Sequence, residues 1–416
     1  MVVAKDIPAE SGTESSSRDC GNHAAPRLDI DPFDERFLIL PHENNAVMRD
    51  AGPVVWLEPI KAFGMARHAE VQAALKDHET FCSGRGVGLA DFAREAPFRP
   101  PSLLLEADPP LHSRTRGLMN RIVSLNSLKE LRPLWAEKAD RLAEQLVARR
   151  RFDAVTDLAE TYPMLVFPDT IGVPEEGREH LLVYAAAVFN AFGPRNAIFE
   201  RGNAIAADAA AWVADACKRE RLAPGGWGAA VYEAADAGDC THDEAERLVR
   251  SFLSAGVDTT VNGIGHMMLA FASAPEQWSR LRDDPSLTRR AFEESLRWDS
   301  TVQTFFRTTT RDVLVAGTMI PAESKVLLFL SAANRDPRRW HEPDRFDITR
   351  TASGHVGFGF GIHQCLGQMV ARLEAELVLQ ALLPRVKSIR LAGEPQRRLN
   401  NTLRALSSLP VEIEPA

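Results

Sequence analysis

Between residues 358 and 367 the chain reads Phe-Gly-Phe-Gly-Ile-His-Gln-Cys-Leu-Gly. Gly359 and Gly361 bend the backbone ahead of Cys365, Gly367 follows it, and helical spacing starts directly after. A thiol placed there faces the positive end of a helix and nearby backbone N–H groups, which favour the thiolate and make a metal ligand. N–H bonds to the sulfur also tune the redox potential of a bound metal. Phe358 is placed to shield the sulfur from water. A lone cysteine at a helix start is more often a buried structural residue, so the loop needs support from elsewhere in the chain.

Cys20, Cys82, Cys217 and Cys240 bring the cysteines to five, with no two close in sequence. An odd, scattered set argues against a disulfide framework and against zinc-ribbon spacing, and points to a reducing compartment. The net charge of −8 argues against wholesale nucleic-acid binding. No uncharged apolar run is long enough to cross a bilayer, and the N-terminus lacks the apolar stretch of a secretory signal. The expectation is a cytoplasmic protein with a loose tail over residues 1–25 and one domain over 26–416.

Hydrophobic spacing predicts a mainly α fold with small β-sheets. Two paired strands are expected over 54–58 and 62–66, a helix over 68–81 and a long loop over 82–110. Helices follow over 111–124, 128–149, 152–171, 176–192 and 204–221. Thr241-His242-Asp243-Glu244 reads as a capping box opening one long helix to about residue 274. Further helices over 276–282 and 286–299, short strands near Phe305, Val313 and Lys325, and a last helix over 366–383 complete the reading.

Two more segments accompany the cysteine loop. Glu294 and Arg297 stand i, i+3 on one helix face and can pair. A second arginine, Arg345, follows in Pro343-Asp344-Arg345-Phe346. In this order the three segments resemble the Glu-x-x-Arg signature, the second arginine and the haem-binding loop of the cytochrome P-450 superfamily, along most of the chain. The resemblance implies a triangular helical prism around a buried haem b, with Cys365 as the iron ligand. Glu294, Arg297 and Arg345 would form the buried cluster behind it. His112 and Arg116, four apart on one helix, would hold the haem propionates with Arg307 and His363, while Phe358 and Gly367 frame the thiolate.

Ala255-Gly256-Val257-Asp258-Thr259-Thr260 sits mid-helix, where glycine and threonine are poor choices. Gly256 permits close approach of a flat ligand, and a threonine hydroxyl can open the helix locally by bonding a carbonyl one turn back. The segment resembles the family's acid–alcohol pair. That implies that Asp258 gates protons inward and Thr259 steadies the oxygen being activated.

Ser251, Ala255 and Thr259 lie on one helical face, with roughly 12 Å along the axis between first and last at about 1.5 Å per residue. A small aromatic ring fits between them. Arg250 adds a cation, the long loop adds Arg99, Ser102 and Leu105, and Phe189, Phe192, Val302 and Phe305 supply apolar walls. These positions are similar to those of soluble bacterial para-substituted-benzoate monooxygenases, which O-demethylate para-methoxybenzoate. Phe360 stands where that loop ordinarily has a smaller residue. The resemblance implies an enzyme that uses O2 and two external electrons on a small aromatic carboxylate. The electrons would come from an iron–sulfur ferredoxin and its flavoprotein NAD(P)H reductase, since no flavin or nicotinamide fingerprint is present. Arg114, Arg132, Arg338, Arg339 and Arg372 are candidates for the docking patch. A monomer without nucleic-acid or membrane partners is expected. Rival readings are a monooxygenase of a fatty acid or terpenoid, which would not need Arg99, Ser102 and Ser251, and a haem gas-binding protein, which would not need Asp258 and Thr259.

Overall fold

The computed structural model describes residues 24–416. All but the last two residues of the expected 1–25 tail lie outside the described residues. The mainly α reading with small sheets holds. A six-stranded sheet is built from β1 (Arg27–Leu28), β2 (Val55–Leu57), β3 (Ala62–Met65), β4 (Phe81–Cys82), β5 (Thr304–Thr309) and β6 (Lys325–Phe329), in the order β1-β2-β3-β6-β5-β4. The expected β2–β3 hairpin is antiparallel, with Val55 opposite Gly64. β5 therefore pairs with a strand about twenty residues further on and with β4, more than 220 residues back. This brings Arg307 to the same wall as the long loop after Cys82.

Seven helices matter for the site: α1 (Leu111–Ile122), α2 (Leu125–Arg149), α3 (His180–Asn190), α4 (His242–Ala255), α5 (Asp258–Ser273), α6 (Thr288–Trp298) and α7 (Gln368–Leu382). Thr241 caps α4 as the sequence implies. Its Oγ1 accepts the Glu244 N–H at 3.1 Å while the Glu244 carboxylate accepts the Thr241 N–H at 2.9 Å. The single helix expected to run to residue 274 is instead two, parted at Gly256 and Val257. The expected helix over 152–171 is also divided. Arg151–Asp153 is a strand, Ala154–Glu160 winds as a π-helix, and Thr161–Ile171 is α-helical. The strand forms because Asp153 lies opposite Pro410 in a three-stranded C-terminal sheet, a partnership invisible to local spacing.

The largest apolar cluster lies around α2, α5 and α7, with Trp135, Phe271 and Trp278 fully buried. One carboxyl group sits inside it. Glu374 on α7 is 0% exposed, and neither carboxylate oxygen has a hydrogen-bond partner. Burial pushes its pKa well above the ordinary value and favours the protonated form. As pH rises past the unfolded-chain value, the unfolded state releases this proton and the native state does not, so native stability falls. Glu374→Leu is expected to raise stability at pH 7 by about 1–3 kcal/mol, the cost of one unsatisfied buried polar group. The gain should shrink towards pH 4; urea midpoints at both pH values check it.

Candidate active site

A cavity of about 240 Å³ opens where the 99–105 loop, the α4–α5 junction, β5 and the cysteine loop meet. The Cys365 N–H donates to the Phe358 carbonyl at 2.8 Å and folds the loop back on itself. Cys365 faces the cavity. Burial pushes its thiol pKa up, while N–H donation from Gly367 and Gln368 at the start of α7, with the charges of Arg116 and Arg372, acts the other way. Gly361 is required: its φ is +73°, and a Cβ there would meet the Leu75 carbonyl at 2.5 Å. The ring of Phe358 lies 4.6 Å from the Arg372 guanidinium, which Glu293 holds in place. Phe360 lines the cavity and packs against the cluster containing Leu75 and Val356.

Arg116, Arg307 and His363 line the same cavity. Arg307 is 3% exposed and, among the described residues, pairs with no carboxylate and donates only to the Phe306 carbonyl at 2.8 Å. Burial draws its pKa down to about 10. Among the described residues Arg116 also lacks a carboxylate partner and reaches only Asn120, at 3.3 Å. His112 does not line the cavity; its ring lies 4.4 Å behind that of His363. Neither Nε2 has a hydrogen-bond partner among the described residues, and Asp108 lies 4.0 Å from that of His363. Burial and the Arg307 charge hold His363 down at about 3, so its ring is neutral. Two guanidinium groups with no carboxylate and two orphaned imidazole nitrogens, beside a thiol, fit a flat metal macrocycle bearing two carboxylates.

A family model described as Cytochrome P450 matches residues 229–413. Cytochrome P450 CYP199A2 of Rhodopseudomonas palustris is 54% identical over 392 residues, covering 94% of this chain and 95% of its own length. The chain belongs to the cytochrome P450 family. It is a P450 monooxygenase, an oxidoreductase whose family binds haem b through a cysteine thiolate. The vitamin D(3) 25-hydroxylase of Pseudonocardia autotrophica is 33% identical over 92% of this P450 and 96% of its own chain. Among solved structures, P450BioI bound to an acyl-carrier-protein-linked hexadecenoic acid covers 91% of this chain and 100% of its own, at TM-score 0.80 and 30% identity. Cytochrome P450 CREJ with (4-ethylphenyl) dihydrogen phosphate covers 92% and 99%, at TM-score 0.82 and 25% identity.

Ser251, Ala255 and Thr259 of this P450 all line the cavity, as do Arg99, Ser102, Leu105, Phe189, Phe192, Val302 and Phe305. The Phe192 and Phe305 rings stand 5.9 Å apart and wall one side. Arg250 does not line it. Neighbouring helix residues are about 100° apart, so with Ser251 facing in, Arg250 turns away, towards Tyr184 and Cys217. The cation on the Ser251 face is Arg247, one turn earlier. It donates to the Pro101 carbonyl at 2.8 Å and joins the loop to the Ser251 end of the cavity. Arg99 is not free either: it pairs with buried Glu106 at 2.9 Å, and the same Glu106 oxygen accepts the Ser102 N–H at 2.7 Å.

At the α4–α5 junction, Thr259 Oγ1 donates to the Ala255 carbonyl at 2.8 Å. A Cβ at Gly256 would lie 2.3 Å from the Phe167 ring, and Gly256 itself lines the cavity. Asp258 points away from the cavity and is 1% exposed. It accepts from Arg398 at 2.8 Å and from the Asn262 side chain at 3.1 Å. Burial raises its pKa, with Arg398 opposing. Arg398 is one-third exposed on the strand Gln396–Arg398, so it links the buried acid to solvent.

Arg345 does not join the Glu294 cluster. Its exposed side chain reaches only Glu342, at 3.5 Å. Glu294 pairs instead with Arg297 at 2.7 Å and with Arg350 at 3.1 Å, five residues beyond Arg345. Arg345 contributes only its backbone carbonyl, which accepts from Arg297 at 3.1 Å. The reason is reach: residues 343–345 turn so that the Pro343 and Arg345 carbonyls face Arg297, which sends the Arg345 side chain to solvent. Of the five expected docking arginines, Arg114, Arg132, Arg338 and Arg372 already hold carboxylates, and Arg339 lies over Trp340.

Sequence reading missed Glu106, Arg247, Arg350, Arg398 and Thr301, whose buried hydroxyl lines the cavity without a partner. Arg247 had a signal, since it shares the i, i+4 spacing of Ser251. Arg398 had none, because its partner lies 140 residues away.

Proposed function

We propose that this monooxygenase uses O2 and two external electrons to O-demethylate or hydroxylate para-substituted benzoic acids such as para-methoxybenzoate. The observation that carries this reading is a polar end and a thiol end on one narrow cavity. Arg247 ties the loop bearing Arg99 and Ser102 to the Ser251 end, and Thr259 lies two helical turns from Ser251. A carboxylate held at the polar end by Ser251, Ser102 and Arg99 points its para substituent towards the thiol end, between Phe192 and Phe305. The anionic para-substituted ring bound by CREJ supports the same chemistry.

Arg116, Arg307 and His363 would hold the haem propionates, with His112 behind His363, and Cys365 would hold the iron. Haem supplies the oxygen-activating chemistry. Asp258, fed through Arg398, takes protons inward, and the Thr259 hydroxyl delivers them at the cavity wall. Thr259→Ala is expected to leave acid binding intact while product formed per NADH consumed falls about tenfold or more, the balance appearing as peroxide. Unchanged coupling would remove Thr259 from the relay. The electrons come from an iron–sulfur ferredoxin and its reductase, and the enzyme works as a cytoplasmic monomer with one catalytic domain over residues 26–416. No helix among the described residues is long and apolar enough to cross a membrane.

The test is a titration of the purified protein with para-methoxybenzoate and its methyl ester, following haem spin state by absorbance. A high-spin shift with the acid and a weak one with the ester are expected. Ser251→Ala should weaken the acid about tenfold or more, the worth of a hydrogen bond to a charged group, and leave the ester unchanged. Equal losses would remove the carboxylate anchor. No shift with the acid would sink the benzoate reading and favour a fatty-acid or terpenoid substrate.

A further inference from the structure

A second cavity, of about 170 Å³, adjoins the first. The two share Arg99, Val188 and Phe192 as wall residues, so these side chains form the partition between them. The partition is electrostatic as well as steric. Arg99 lies 5.8 Å from the centre of the Phe192 ring and is bound to Glu106, which lines only the second cavity.

The outer wall of this second cavity carries Arg195. Its guanidinium lies 4.7 Å from the Phe199 ring and 5.6 Å from Phe98, and these two rings meet edge-to-face at 5.6 Å. Arg195 forms no ion pair among the described residues, whereas Arg99 on the partition is held by Glu106. A cation held over ring faces keeps its charge available to an anion. The rings beside it offer a flat apolar surface of the kind a benzoate ring covers. The backbone around this cavity is also fixed. The Leu89 N–H donates to the Phe192 carbonyl at 2.8 Å, and Lys325 Nζ donates to the carbonyls of Arg85, Gly86 and Gly88.

We propose that the second cavity is an outer subsite for an aromatic carboxylate, which Arg195 captures and which then reaches the inner cavity by displacing Glu106 from Arg99. The inference rests on the benzoate reading above. Glu106 is the competing anion: the Arg99 charge is neutralised until a substrate carboxylate replaces it, and Glu106 keeps the Ser102 N–H meanwhile. Glu95 also lines the cavity and makes no ion pair among the described residues. It repels an incoming acid, so capture depends on Arg195 itself and not on the net charge of the cavity.

The experiment is stopped-flow mixing of the haem-loaded protein with para-methoxybenzoate and with its methyl ester, read by the spin-state change at several salt concentrations. In the wild type the acid should associate faster as ionic strength falls, and the ester should not respond. Arg195→Gln is expected to slow acid association about three- to tenfold and flatten its salt dependence. Glu95→Gln, an exposed change, should speed acid association, and ester rates should stay put in both variants. Acid association that is the same in wild type and Arg195→Gln overturns the subsite while leaving the benzoate reading intact. Equal slowing of acid and ester also overturns it, because that marks a steric change at the partition. A wild type that gives no spin shift with the acid removes the benzoate reading, and the subsite falls with it.

Discussion

Cys365→Ala is expected to give a folded protein with no thiolate-haem absorbance and no measurable turnover. The expectation follows from where the sulfur sits. The loop is bent by Gly359 and Gly361, closed by the bond from Cys365 N–H to the Phe358 carbonyl, and set so that the N–H groups of Gly367 and Gln368, where α7 begins, favour the thiolate. Alanine keeps that backbone and removes only the ligand atom. Cys365 is half-buried at a cavity wall and belongs to none of the apolar clusters, so far-ultraviolet circular dichroism should be close to wild type. The thiolate is the donor by which the family holds its iron and pushes electron density towards bound oxygen. A variant that kept the thiolate spectrum would remove Cys365 from the iron.

Glu294→Ala should be the most damaging single change outside the cavity. Glu294 and Arg297 are both 0% exposed, and the Glu294 carboxylate also takes Arg350 and the Asp347 N–H. Arg297 in turn donates to the carbonyls of Asn334, Pro343 and Arg345, joining α6 to the stretch that leads to the cysteine loop. Removing Glu294 leaves Arg297 charged, buried and without its counter-ion, a loss of about 3–5 kcal/mol. Much of the variant should fail to accumulate as haem-loaded protein. Arg345→Ala is the control: as an exposed side chain outside this network, it should change stability by less than about 0.5 kcal/mol. Chemical unfolding of the three proteins decides the matter, and an Arg345 loss as large as the Glu294 loss would restore Arg345 to the cluster.

The fold class and the cysteine loop were legible because both are written in local sequence. Helical spacing, the Thr241 capping box and the 55–65 hairpin need only neighbours a few residues away. The helix boundary at Gly256 was half legible. The poor helix formers were visible, but Phe167, which occupies the space beside Gly256, comes from a segment almost ninety residues earlier. Arg345 and Arg250 show the opposite limit. Each belongs to a correct short segment, yet its direction depends on which carbonyls or which helix face its neighbour has taken. Pairings such as Asp258 with Arg398, or Arg99 with Glu106 across a folded loop, depend on tertiary placement that no periodicity records.

Much of the cavity wall comes from residues 99–105, 188–192, 251–260, 301–307 and 357–371. During synthesis, domains fold as their parts emerge. Here the thiol donor is among the last of those parts, and β5, which carries Arg307, must pair with β4 from far upstream. A nascent chain stopped before residue 365 can carry Arg116, Arg307 and most of the apolar walls, yet lacks the sulfur that would grip iron. Grip on the iron therefore has to wait until residue 365 has been made, after the 99–105, 251–260 and 301–307 walls.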